Sequence, residues 1–150
     1  MGQSSRMYER MAVVSTIDPD AYGTGAQTGD VIDMLYWRRV LFVVLAGTLG
    51  SSATLDFAVY GDTASNGSFS TLITGKSITQ LTEAGTDSDK QALLEVTAEE
   101  IAAQGFRYIR STATLGAATS DYGVIALAEP AHGTIDLVSN DLATVDERIG

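Results

Sequence analysis

"DMLYWRRVLFVVLAGTLG", Asp33 to Gly50, is the most apolar stretch of the chain, and two arginines, Arg38 and Arg39, stand just before its apolar core. A membrane segment, a buried helix and a sandwich strand all compete for it. The core itself, "VLFVVLAG", falls well short of the roughly 20 apolar residues that a bilayer-spanning helix needs. Its residues are largely β-branched or aromatic, and a Gly-Ser turn follows at Gly50–Ser52. Those residue types fit a pleated strand better than a helix. We read Val40–Ala46 as a fully buried central strand.

Working outward, "ATLDFAVYGD" (53–62) alternates. Leu55, Phe57 and Val59 point one way and Asp56, Ala58 and Tyr60 the other, the period of a half-buried strand. "GTLGSSATL" (47–55) between the two runs then reads as a hairpin loop. "GDTASNGSF" (61–69) is a polar turn. "FSTLIT" and "SITQLT" read as two short strands around Gly75-Lys76. Ala92–Val96 is a further strand, followed by one or two helical turns. There Thr97 is the candidate N-cap, Glu99 and Glu100 fill the first turn, and Gly105 is the stop. "FRYIRSTATL" (106–115) and "DYGVIALAEP" (121–130) close the series, the last ended by Pro130.

The pattern is about eight short strands with polar turns between them, the signature of a mainly β chain: an antiparallel β-sandwich, with a jelly roll as the natural eight-strand form. Both ends look different from the middle. The expected division is an N-terminal arm over 1–28, a β-sandwich over 29–130 and a C-terminal arm over 131–150. Met7, Tyr8, Met11, Val13, Val14 and Ile17 give the first arm apolar anchors, so it is expected to pack on a neighbour.

Composition excludes whole classes of function. The chain has 150 residues, no cysteine and a net charge of −10. Disulfides, thiolate metal sites and cysteine nucleophiles are therefore out. Nucleic-acid binding needs clustered Lys and Arg, whereas Lys76 and Lys90 are the only lysines. An acidic surface also disfavours an anionic membrane. The first twenty residues hold no long apolar run and do not read as a secretory signal.

Catalytic signals are equally thin. His132, the only histidine, lies in "EPAHGT" with no nucleophile elbow anywhere in the chain. It is read as structural or solvent-exposed. "DTASNG" (62–67) and "DSD" (87–89) hold oxygen ligands suited to calcium but lack EF-hand spacing. They are read as acidic turns, and no cofactor is expected. "LYWRR" (35–39) has two readings: a strand edge whose aromatics cap the core, or a hot spot in which Trp37, Arg38 and Arg39 carry binding energy. In "FRYIR", one face of the strand is expected in the core, with its arginines paired to acidic neighbours.

Four segments together have a familiar look: "TGDVIDMLYWRRVLFVVLAGTL", "ATLDFAVYGDTASNGSFSTL", "DSDKQALLEVTAEEI" and "FRYIRSTATLG". With Ile32-Asp33 before the first strand, Gly47-Thr48 closing it and the hairpin of Tyr60–Leu72, the chain over residues 28–130 resembles the capsid decoration, or cement, proteins of tailed bacteriophages. The resemblance implies a jelly-roll-like sandwich on the exterior of the virion, with no enzymatic activity. It implies binding to the major capsid protein and to neighbouring copies, so a homo-oligomer or lattice neighbours are expected, with neither nucleic acid nor membrane as partner. On this reading the interface residues are Met7, Tyr8, Met11, Trp37, Arg38 and Arg39. The alternative is a tail or head-fibre module that binds a host glycan, since jelly rolls also host lectins.

Overall fold

The computed structural model describes residues 6–133 and 141–149 of the chain. Ten antiparallel strands follow one another: β1 (Ala12–Tyr22), β2 (Gly25–Thr28), β3 (Ile32–Asp33), β4 (Trp37–Ala46), β5 (Thr54–Asp62), β6 (Thr71–Ser77), β7 (Leu81–Thr82), β8 (Gln91–Thr97), β9 (Tyr108–Gly116) and β10 (Ser120–Pro130). Two short helices join them, α1 (Met7–Arg10) and α2 (Ala98–Ala103). A four-stranded sheet runs β1-β10-β4-β8, and the second sheet runs β2-β9-β5-β6 with β3 and β7 attached.

Leaving aside the two-residue strands β3 and β7, the pairing is nested. β1 pairs with β10, β2 with β9, β4 with β8 and β5 with β6. The chain behaves as one long hairpin rolled into two layers, and that is a jelly roll. The expected fold class holds, with ten strands where the sequence pattern indicates about eight.

The core lies between the layers. Val40, Phe42 and Val44 of β4 face Leu55, Phe57 and Val59 of β5, all almost fully buried. The rings of Phe42 and Phe57 meet across the interlayer space at 5.6 Å. Burying each such side chain contributes roughly 1.5–3 kcal/mol. Thr97 caps α2 as the sequence indicates: its Oγ1 accepts the Glu100 N–H at 3.3 Å, and the Glu100 carboxylate accepts the Thr97 N–H at 2.9 Å. The cap aims Ile101 into the core.

Several expectations need correction. Residues 12–28, assigned to an N-terminal arm, form β1 and β2, because Ala12, Val14 and Ile17 supply core side chains to the first sheet. Only residues 6–11 of the described N-terminus stand outside the sheets. The segment between β4 and β5 is no hairpin, because those strands belong to different sheets. It is a crossover, anchored by buried Leu49 and Ala53. Gly50 lets it pass closely, since a Cβ there would collide with the Thr119 carbonyl oxygen. The two strands expected around Gly75-Lys76 are present as β6 and β7, but β6 runs through that pair and the break falls after Ser77.

The chain does leave the sandwich after Pro130. Of the arm expected over 131–150, residues 134–140 and 150 lie outside the described residues. Its described distal part runs beside β1: the Asp141 N–H donates to the Val13 carbonyl at 2.7 Å, and Thr16 Oγ1 donates to the Asp141 carboxylate at 3.2 Å.

Candidate docking surface on the four-stranded sheet

A strand with one face on a core and one face in water alternates apolar and polar residues. β5 obeys this rule, and β4 does not. Alternation along β4 sends Val40, Phe42 and Val44 inward, so Leu41, Val43 and Leu45 point outward from the sandwich. The neighbouring strands match it. Register places Val13, Leu127 and Leu41 in one row with Glu95, and Thr16, Ile125, Val43 and Leu93 in the next. A third row holds Gly123, Leu45 and Gln91.

The outer face of this sheet is therefore aliphatic over most of its area. Leu93 is 64% exposed and Leu45 47%, and Val13, Leu41, Val43, Ile125 and Leu127 are half-buried. From strand spacing and rise, the face measures about 19 Å by 23 Å, roughly 450 Å². That is as large as the largest apolar patch of a typical monomer. The other sheet turns a polar surface to solvent. Asp56, Ala58 and Tyr60 of β5 stand opposite Thr114, Thr112 and Arg110 of β9.

Ionic groups frame the aliphatic face. At one end Arg39 pairs with Glu129 at 2.9 Å and reaches Glu95 at 4.0 Å. Over the same end lies α1, and a groove of about 450 Å³ forms between Met7, Arg10 and Met11 on one side and Leu41, Leu127 and the Arg39 cluster on the other. At the opposite end Pro19 folds against Gly123, where a Cβ would come within 2.9 Å of its Cα.

The six interface residues chosen from sequence fall apart into groups. Met7, Met11 and Arg39 share the groove at the end of the apolar face. Tyr8 turns away and, with Met11, Leu142, Val145 and Ile149, lines a second groove beside the β1 edge. Arg38 is exposed near Leu35, Thr97 and Glu99. Trp37 is fully buried, which removes it from any surface and favours the other reading of "LYWRR", an aromatic cap on the core. Leu41, Val43, Leu45, Leu93, Ile125 and Leu127 were missed. The signal for them was present, because an antiparallel strand apolar on both faces has two surfaces to cover.

Elsewhere the acidic loops are occupied by their own backbone. Asp62 accepts the N–H groups of Ala64 and Phe69 at 3.1 and 3.2 Å, and these hold its carboxyl below the usual range. Asp87 is lowered by the Thr82 N–H at 3.0 Å and then by Lys90. Among the described residues, no three carboxylate or histidine side chains gather as metal ligands would. His132 is exposed beyond β10. In "FRYIR", Ile109 is the buried member. Arg107 makes a bidentate pair with Asp33, at 2.9 and 2.7 Å, whereas Arg110 lies over the Phe69 ring at 4.8 Å rather than on an acid. Burial resists ionisation of Asp33, and the Arg107 guanidinium with the Leu35 N–H outweighs it, so its carboxyl sits below the usual value.

No protein-family model matches the chain, and no curated protein matches it. Among solved structures, a chain in the structure of infectious bursal disease virus, Gx strain, aligns at 14% identity with a TM-score of 0.41. The alignment covers 81% of this chain and 33% of that one, so this chain spans about a third of the length of the protein it matches.

Proposed function

We propose that this chain is a structural protein of a virus particle, a capsid decoration protein that works by binding and not by catalysis. The observation that carries this reading is the unpartnered aliphatic face on the four-stranded sheet of a jelly roll. The face covers about 450 Å², so burying it is worth at most roughly 11 kcal/mol before costs. Lost translational and rotational freedom costs an estimated 4–15 kcal/mol. One copy therefore binds weakly through this face alone, and many copies on a regular shell gain the remainder by avidity. The sequence resemblance to phage decoration proteins supports the same reading. A glycan-binding module draws no support from this face, because sugars stack on aromatic rings and its outward side chains are aliphatic.

The test is co-sedimentation of the full chain with mature phage shells that lack decoration. Saturable binding in a fixed ratio to the capsid subunit is the expected result, with loss of attachment in Leu93→Asp. A folded protein that fails to sediment with shells at any concentration refutes the proposal.

A further inference from the structure

One edge of the four-stranded sheet is left open. The sheet ends on β1 at one side and on β8 at the other. In an antiparallel ladder the residues alternate, one bonding to the neighbouring strand and the next turning its N–H and C=O the opposite way. The phase along β8 is set at its start, where the Ala46 N–H donates to the Lys90 carbonyl at 2.9 Å. Ala92, Leu94 and Val96 therefore bond to β4, opposite Val44, Phe42 and Val40. Gln91, Leu93 and Glu95 turn their backbone groups outward along a line about 14 Å long. Lys76 fits the same phase from the far side, its ammonium donating to the Glu95 carbonyl at 2.8 Å. The other outward backbone groups of Gln91, Leu93 and Glu95 have no partner among the described residues.

The remaining edge strands, β1, β2 and β6, are each blunted. β1 carries two register shifts, and its Val13 carbonyl already accepts the Asp141 N–H at 2.7 Å. β2 is four residues long. β6 contains Gly75 at a φ of 75°, and its Thr74 N–H donates to Gln104 Oε1 at 2.9 Å. β8 runs seven residues and keeps an unbroken register with β4.

Resting on the reading of this chain as a shell-binding protein, we infer that the β8 edge takes up an extended segment of the shell subunit as a fifth strand of the sheet. A row of outward backbone donors and acceptors is matched by another extended backbone, and side chains then select which segment fits. An added strand sends alternate residues to the two sides of the sheet. Those on the inner side enter a groove of about 450 Å³ between β8 and the β6–β7 connection, where Ile78, Leu81, Ala92 and Leu94 present apolar surface. Those on the outer side come beside Leu93, which is 64% exposed. The fitting segment is therefore apolar on both sides. It belongs to the shell because the edge is continuous with the aliphatic face, and Leu93 is part of both. A stable interface buries roughly 800 Å² per partner, whereas the face supplies about 450 Å². A strand along β8 adds contact where the face alone falls short.

The experiment is hydrogen exchange of the full chain, free and bound to mature undecorated shells, quenched and read amide by amide by NMR. In the free protein the Ala92, Leu94 and Val96 amides are expected to be protected and those of Gln91, Leu93 and Glu95 to exchange freely. On shells these three are expected to slow by roughly tenfold or more. Gln91→Pro/Glu95→Pro removes two outward donors and leaves the ladder to β4 intact, since an edge strand tolerates proline where its missing N–H would face out. With Tm as the check on folding, this variant is expected to attach roughly tenfold more weakly, and the control Gln91→Ala/Glu95→Ala to attach nearly as the wild type does. Outward amides that stay fast on shells overturn the inference, as does undiminished attachment of the folded proline variant; in both cases the proposed function stands. Protection of the same amides in the concentrated free protein makes the occupant a second copy and overturns the inference as well. A folded chain that never binds shells overturns the inference and the proposed function together.

Discussion

Leu93 and Leu94 are adjacent in β8 and chemically identical, yet they face opposite ways. Leu93 is 64% exposed on the outer face, and Leu94 is 7% exposed in the core. Alanine at each position separates docking from folding. Full burial of a leucine is worth roughly 1.5–3 kcal/mol, so the part of Leu93 still exposed offers about 1–2 kcal/mol to a partner. Leu93→Ala should therefore weaken attachment to shells by roughly five- to thirtyfold. It should change the stability of the dilute protein by under about 0.5 kcal/mol. Leu94→Ala opens a cavity and should cost about 2–5 kcal/mol. For a chain of this length, that lowers Tm by roughly 5–15 °C. Scanning calorimetry on dilute samples and co-sedimentation with shells read the two quantities independently. Equal losses of Tm in the two variants would show that Leu93 is already covered in the free chain, and the case for an open docking face would fail.

Other outcomes follow from the same structure. Trp37→Ala should cost about 3–5 kcal/mol and act through folding, visible as a collapse of Tm and not as a selective loss of attachment. Removing residues 1–11 should spare the sandwich and weaken association. Removing 1–16 also takes buried Ala12, Val14 and Ser15 from β1, and should lower Tm sharply in circular dichroism. Asp33 has a depressed carboxyl pKa in the folded chain, so its contribution is present above the unfolded value of about 3.9 and is lost as pH falls through the lower folded value. Tm should be flat from neutral pH to about 5 and drop below about 4, and Arg107→Gln should make that drop smaller. An equally steep acid limb in Arg107→Gln would show that the pair contributes nothing.

Much of the fold was legible because burial leaves a period. β5, with Leu55, Phe57 and Val59 alternating against Asp56 and Tyr60, could be read directly, and so could the Thr97 cap with Glu100. β1 was lost to the arm because its register shifts between Val13 and Ser15 and again between Ile17 and Asp20, and each irregularity breaks the two-residue period. The crossover after β4 was misread because the same Gly-Ser signals serve a tight hairpin and a passage between layers. The aliphatic outer face was hidden by an ambiguity in the pattern. "VLFVVLAG" has the same composition whether its second face is covered by the same molecule or by another one. Only the three-dimensional neighbours of Leu41, Val43 and Leu45 distinguish those cases.

The nested pairing also governs when the protein can exist. Among the described strands the first, β1, has its partner in the last, β10, and β2 waits for β9. The second sheet therefore cannot be completed until the ribosome has passed β9, nor the four-stranded sheet until it has passed β10. Folds dominated by such distant pairings form slowly, in milliseconds to seconds. For that interval the apolar run of β4 is uncovered on both sides, beside many identical nascent chains. Fragments cut short before β10 lack the strand that lies between β1 and β4 and holds them in one sheet.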